Sequence, residues 1–243
     1  MFLKSVTLLQ QQIPDQQQYP FTIPAIRQLE KISLDFPVTF FVGENGTGKS
    51  TLLEAIADNI GFHTAGGSRQ NDQAYDVHKS ESALGEYIRL AWLPKVTEGF
   101  FLRAETFYQF AAHIDETDMN GYANYGGKSL HDQSHGESFL SLFTNRFKGN
   151  AIYLLDEPEA ALSPARQLSF LRILYDLTKK QNTQFIIATH SPILLGFPNA
   201  CIYSFDGERI QEIDYEMTDH YQIMSYFLQN RGRVLEELFR DDM

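Results

Sequence analysis

The sequence predicts an α/β fold built on a mostly parallel central sheet, with a small N-terminal antiparallel β subdomain, and three observations carry this. Continuous apolar runs at 38–42, 151–155, 185–189 and 201–205 have the pattern of strands buried on both faces. Helix-like stretches at 49–59, 137–147 and 164–180 fall between those runs. That alternation argues for helices laid over a parallel sheet. Shorter strand-like pieces at 2–9 and 32–36, around a loop rich in glutamine and proline, precede the first run and supply the antiparallel part.

The remaining elements follow in order. Residues 61–82 are polar and glycine-bearing, a loop or an insertion, and 87–93 reads as another strand. A helix is expected over 105–114 and a turn-rich segment over 117–135, with Gly121, Gly126 and Gly127. The helix over 164–180 carries apolar residues at Leu168, Leu171, Leu174 and Leu177. The end of the chain, 219–239, has helical spacing and reads as a hairpin or a helix broken at Asn230-Arg231-Gly232. Its apolar residues are core or dimer contacts. We expect one unit over 1–243, with 61–150 holding a helical subregion.

Composition narrows the function classes. At 243 residues the chain has enough length to bury a core without staples. The single cysteine, Cys201, rules out a disulfide framework and suits a reducing, cytoplasmic setting. The 20 Lys+Arg against 31 Asp+Glu, a net charge of −11, argue against a surface that wraps nucleic acid as a whole. Lys179, Lys180, Arg231, Arg233 and Arg240 are scattered and read as solvated faces. Residues 1–9 are too short for a signal h-region. Residues 181–205 carry no Lys, Arg, Asp or Glu, but His190, Pro192, Gly196, Pro198 and Asn199 break the stretch into two short apolar runs. Membrane insertion is not expected.

The chemistry begins at Gly43-Glu44-Asn45-Gly46-Thr47-Gly48-Lys49-Ser50, which matches the phosphate-loop pattern between a strand and a helix. Glycines let successive backbone N–H groups face one anion, and the helix that follows presents its positive end. Lys49 is expected to reach the β- and γ-phosphates, and Ser50 to ligate Mg²⁺. The expected nucleotide contacts are Gly43, Asn45, Gly46, Thr47, Gly48, Lys49, Ser50 and Thr51. The run 151–155 then delivers Asp156 and Glu157 at a strand end, the sheet edge where ligands sit in open α/β folds. Asp156 is the second expected Mg²⁺ residue. Glu157 is placed to orient or deprotonate the attacking water.

A third motif, Gln133-Ser134-His135-Gly136-Glu137-Ser138, opens the helix over 137–147. A hydroxyl and free N–H groups at a helix start form an anion site, and Ser134 with Glu137 fits an ordinary capping box equally well. Here the sequence resembles the ABC-type ATPase superfamily, whose signature is Leu-Ser-Gly-Gly-Gln. Ser134 and Gly136 fall on the serine and second glycine, while His135 and Glu137 replace the first glycine and the glutamine. The order of motifs strengthens the resemblance. Glu159-Ala160-Ala161-Leu162-Ser163 looks like the family's D-loop, and 185–191 matches the strand carrying the switch histidine, here His190. The departures resemble the soluble, non-transporter branch: RecF-like and structural-maintenance-of-chromosomes heads, and overcoming-lysogenisation-defect ATPases.

The resemblance, over roughly 30–205, implies Mg²⁺-dependent ATP hydrolysis by a head-to-tail homodimer with ATP between the protomers. In it, Lys49, Glu157 and His190 carry catalysis, while Ser134, Gly136 and Glu137 contact nucleotide held by the other copy. One feature departs. After the strand over 87–93 stand Trp92-Leu93-Pro94-Lys95, with no glutamine of the kind transporters place there. Lys95, Glu105 or Gln109 takes that role, or no residue does. Tyr19, Phe21 and Arg27 are candidates for adenine contact by position only. Four uses of the ATPase stand open: a switch on a separate effector such as a nuclease or toxin, a DNA-repair head, a transporter subunit, or a small-molecule kinase. The interval 95–134 is too short for a coiled-coil arm, and no effector domain fits after the His190 strand.

Overall fold

A computed structural model of the chain describes residues 1–63, 83–104, 135–145, 149–180 and 182–240. The expected helix over 105–114, most of the loop at 61–82 and nearly all of the turn-rich segment lie outside the described residues, and so does Ser134.

Two sheets share the molecule. Strands β1 (Leu3–Leu8), β2 (Lys31–Ser33) and β4 (Ile88–Trp92) form a three-stranded antiparallel sheet in the order β2-β1-β4. Strands β3 (Val38–Val42), β5 (Gly99–Arg103), β6 (Ile152–Asp156), β7 (Gln184–Ala188), β8 (Cys201–Ser204) and β9 (Gln211–Glu212) form the second, ordered β5-β6-β7-β3-β8-β9. All its pairs are parallel except β8 with β9. The helices are α1 (Pro24–Arg27), α2 (Lys49–Ile60), α3 (His135–Asn145), α4 (Pro164–Lys180), α5 (Pro192–Leu195) and α6 (Asp219–Leu238). The uncharged stretch 181–205 thus resolves into β7, α5 and β8. Among the described residues, no helix is long and apolar enough to cross a membrane.

Strand alternation divides the core into two layers, one on each sheet face. Val38, Phe40, Val42, Phe100, Leu102, Tyr153, Leu155, Phe185 and Ile187 face the layer completed by α3, α4 and α5. Phe41, Phe101, Ile152, Leu154, Ile186 and Ala188 face the layer of α2 and the antiparallel sheet. Burial on both faces explains why β3, β6 and β7 read as unbroken apolar runs rather than alternating ones.

A side chain joins the two sheets. Gln184, fully buried at the start of β7, accepts hydrogen bonds from the N–H groups of Phe2 and Leu3 at 2.9 Å each. Its amide donates to the carbonyls of Leu3 and Leu34, also at 2.9 Å. The amide is satisfied on both ends, which a buried polar group requires.

Two expectations need correction. The strand after the phosphate-loop helix, β4, belongs to the antiparallel sheet, so Trp92 to Lys95 do not end a strand of the six-stranded sheet. The strand beside β6 is β5, Gly99–Arg103, which the sequence does not mark as a strand. Its apolar centre is three residues long, bounded by Gly99 and Arg103, too short to stand out by periodicity. Gly99 adopts φ +145°, and an added Cβ there would run into the Ile152 carbonyl. The chain end follows the broken-helix alternative: α6 is kinked at Asn230 (φ −126°, ψ 27°), and none of its residues is buried, so its apolar side chains are not core.

Candidate functional site

The site grows from the C-terminal ends of β3, β6 and β7. After β3 the chain turns through Gly43, Gly46 and Gly48, at φ +145°, +81° and +99°. Side-chain-bearing residues rarely adopt these values, and here they coil the backbone into a concave loop. An added Cβ at Gly46 would meet open space, whereas one at Gly48 would press on Ile26. The loop runs directly into α2, whose first residue is Lys49. The 4% exposed Lys49 donates from Nζ to the carbonyls of Gly43 at 2.5 Å and Glu44 at 2.8 Å. Burial pulls its ammonium below its ordinary pKa, against Glu157, Asp206, Asp156 and Glu44, which favour the charge. Asp206, just past β8, closes the loop's other side by accepting from the Glu44 N–H at 2.6 Å. Sequence reading missed it.

Asp156 ends β6, and Ser50 donates to its Oδ1 at 2.9 Å, so the two expected Mg²⁺ residues are in contact. Burial pushes the Asp156 carboxyl up to about 6, while Arg103 and the Ser50 hydrogen bond act in the other direction. Arg103 is level with Asp156 across the β5–β6 pairing and approaches Oδ2 with Nε at 3.6 Å. Its guanidinium also pairs with Glu54 of α2. Thus Arg103, not Lys95, stands at the sheet edge beside the Asp156 strand. Lys95 is exposed, and Glu105 and Gln109 lie outside the described residues.

Among the described residues, no cluster of three or more His, Cys, Asp or Glu could hold a metal by itself. Ser50 and Asp156 fit Mg²⁺ in a different way. A small octahedral ion takes one or two protein oxygens and completes its shell with phosphate and water. A buried carboxylate at the mouth of a phosphate loop suits that role.

Glu157 follows in the left-handed region, at φ 50° and ψ 51°. That backbone turns its carboxyl away from Asp156's buried position, leaving the side chain 46% exposed. At the end of the adjacent β7, His190 places Nε2 3.6 Å from Glu157 Oε1. His190 Nδ1 lies 3.0 Å from Nε2 of His220, in the first turn of α6. Burial and then Lys49 lower the His190 pKa, which favours the neutral ring. Glu159 accepts from the His190 backbone N–H at 2.6 Å and so ties the turn after β6 to the end of β7. Burial raises its carboxyl pKa, opposed by that hydrogen bond. Neither His220 nor the tie from Glu159 was foreseen.

The signature-like segment is described from residue 135. Gly136 is buried at the start of α3, where an added Cβ would collide with Arg166 and approach the Ala161 carbonyl at 3.1 Å. The half-exposed Glu137 carboxylate pairs with Arg166 Nη2 at 3.4 Å. This segment therefore rests on α4 and the turn after β6 within its own chain. Of the adenine candidates, Tyr19 is 69% exposed with its hydroxyl 3.1 Å from Thr51 Oγ1, beside the phosphate loop. Arg27 is exposed, but Phe21 is core, packed edge-on against Tyr87, and is withdrawn.

The fold is the α/β P-loop fold of ABC ATPases and structural-maintenance-of-chromosomes heads. The AAA domain family matches residues 21–147, more than half of the chain, and the AAA ATPase domain family matches 129–195. The chain belongs to the AAA-domain family and is an ATP-binding ATPase. A Bacillus thuringiensis protein named as an ABC transporter ATP-binding protein is 29% identical over 180 residues, 68% of this chain and 32% of that protein. The chain thus spans about a third of that relative's length. The petrobactin import ATP-binding protein FpuD of Bacillus anthracis is 23% identical over 76% of this chain and 72% of its own. Among solved structures, the SMC head domain from Thermotoga maritima superposes with TM-score 0.50 at 16% identity, covering 88% of this chain and 100% of that one. An ATP-binding cassette of an ABC transporter gives TM-score 0.50 at 15% identity, covering 96% and 97%. At these identities the structural likeness concerns the fold.

Proposed function

We propose that the chain is a nucleotide-driven switch, one ATPase unit over 1–243, that closes into a head-to-tail homodimer on ATP. The observation that carries this reading is the meeting of two pairs at one sheet edge, Ser50 with Asp156 at 2.9 Å and His190 with Glu157 at 3.6 Å. In it, the N–H groups of Gly43 to Thr51 and the Lys49 ammonium hold the triphosphate, and Lys49 leaves its own loop carbonyls to do so. Ser50 and Asp156 would hold Mg²⁺, which would supply charge stabilisation to the phosphates. Glu157 accepts a proton from the attacking water, and His190 donates to the γ-phosphate. The exposed ring of Tyr19 stacks on adenine. Ser134 and Gly136 of the second copy, with Glu137 beside them, cap the nucleotide.

Glu157→Gln tests the dimer. With ATP and Mg²⁺ it is expected to elute from a sizing column as a dimer, and a monomer under those conditions overturns the sandwich. For the target of the switch, the net charge of −11 supports a separate protein effector over intrinsic DNA binding. ATP turnover measured with and without DNA tests this: stimulation by DNA would favour a repair head. The second reading, an ATP-binding subunit of a transporter, draws support from the names of the curated relatives. Copurification with a membrane permease would establish it.

A further inference from the structure

His220 belongs to none of the motifs, yet its ring meets that of His190 at hydrogen-bond distance. Its Nε2 lies 3.0 Å from His190 Nδ1, with ring centroids 5.1 Å apart and planes at 53°. One of the two nitrogens must carry the proton between them. On the other side of the His190 ring, Nε2 faces Glu157 Oε1 at 3.6 Å. An ionised carboxylate only accepts hydrogen bonds. A lone pair on His190 Nε2 would oppose it, whereas an N–H there is attracted. The favoured arrangement therefore puts the proton on His190 Nε2 and the lone pair on Nδ1, with His220 Nε2–H as donor.

We propose that His220 is a positioning residue, which donates from Nε2 to His190 Nδ1 and holds His190 in the tautomer whose Nε2–H points to the nucleotide edge beside Glu157. The ring nitrogen that does the work is set by the hydrogen bond at the other. Thr218 supports the arrangement by capping α6, accepting from the Tyr221 N–H at 3.3 Å, which fixes the turn that carries His220. Since His220 stands at the head of α6 and no residue of that helix is buried, a shift of α6 would release the tautomer without disturbing the sheet. This inference deepens the reading of His190 as the γ-phosphate contact.

The imidazole ¹⁵N spectrum of the nucleotide-free protein tests the pairing without turnover. Wild type is expected to show His190 protonated at Nε2 and bare at Nδ1, and His220→Leu to lose that preference. His220→Gln, whose amide can donate in place of the ring, is expected to keep it. In turnover, His220→Leu should lower kcat at least about tenfold with KM for ATP changed less than about twofold, and His220→Gln should recover most of it. A wild-type spectrum with the proton on His190 Nδ1 overturns the proposal. So does a His220→Leu enzyme that turns over like wild type while His190→Ala does not. If His190→Ala itself leaves turnover intact, the γ-phosphate reading fails, and the spectrum still decides the pairing.

Discussion

Asp156 and Glu157 are neighbours at the end of one strand, and the chain treats them in opposite ways. Asp156 is 5% exposed, held between Ser50 and Arg103, with its carboxyl pushed up to about 6. Glu157 has turned through a left-handed backbone into the open, with His190 3.6 Å away. A group that binds a cation gains from being fixed, dry and reluctant to carry charge alone. A group that must take a proton from water needs access and freedom to move. The strand supplies the first environment and the break in the strand supplies the second. Adjacent positions thus occupy two environments because the backbone changes region between them.

Substitutions at the two acids should separate along that line. Glu157→Gln is expected to lower turnover by about 10²–10⁴-fold, the usual range for a lost general base, with ATP binding retained. Because Glu157 is half-exposed, its thermal midpoint should stay close to wild type. Equal losses of turnover and nucleotide binding would break the contrast.

Asp156→Asn should do the reverse to stability: Mg²⁺-dependent turnover disappears, while the nucleotide-free protein gains on the order of 2–3 kcal/mol at neutral pH, from a shift of about two units. Denaturant unfolding measures it, and destabilisation would show that Arg103 outweighs burial. Arg103→Met comes next. With its cation gone, Asp156 should resist ionisation further; one pKa unit of lost support would cut its ionised fraction at pH 7 from about nine-tenths to about half, and half-saturation by Mg²⁺ should rise about twofold. Unchanged Mg²⁺ dependence would assign Arg103 to Glu54 instead.

The smallest effect is in the pH profile of stability. Asp156 binds its proton more readily folded than unfolded, so its contribution is fully present below pH 3.8 and is lost as pH rises through about 6. Subtracting the Asp156→Asn profile from wild type should expose that slope between pH 4 and 7. A flat difference would mean that Asp156 is charged throughout.

Much of this site was legible because phosphate chemistry constrains consecutive residues. Gly43 to Ser50, Asp156-Glu157 and the His190 strand announce themselves by local spacing, and β3, β6, β7 and α4 follow from unbroken or periodic apolar runs. What escaped depends on distance along the chain. Arg103 reaches the site only because β5 pairs with β6 in a register that puts it level with Asp156. His220 lies 30 residues from His190 and meets it through the packing of α6 on α5. Asp206 meets the phosphate loop across more than half the chain. No pattern in a single sequence marks such contacts, since each needs the sheet order first. The β4 misreading has the same root, because a strand's sequence does not say which sheet it joins.

The four hydrogen bonds of Gln184 also set an order of events during synthesis. Phe2 and Leu3 are made before the side chain that secures them, which follows about 180 residues later. At 5–20 residues per second, that is a delay of roughly 10–40 s in which the first strand has no partner in the ATPase sheet. The nascent chain must therefore shelter the apolar strand β1, on β2 and β4 or on a chaperone, until β7 has been made.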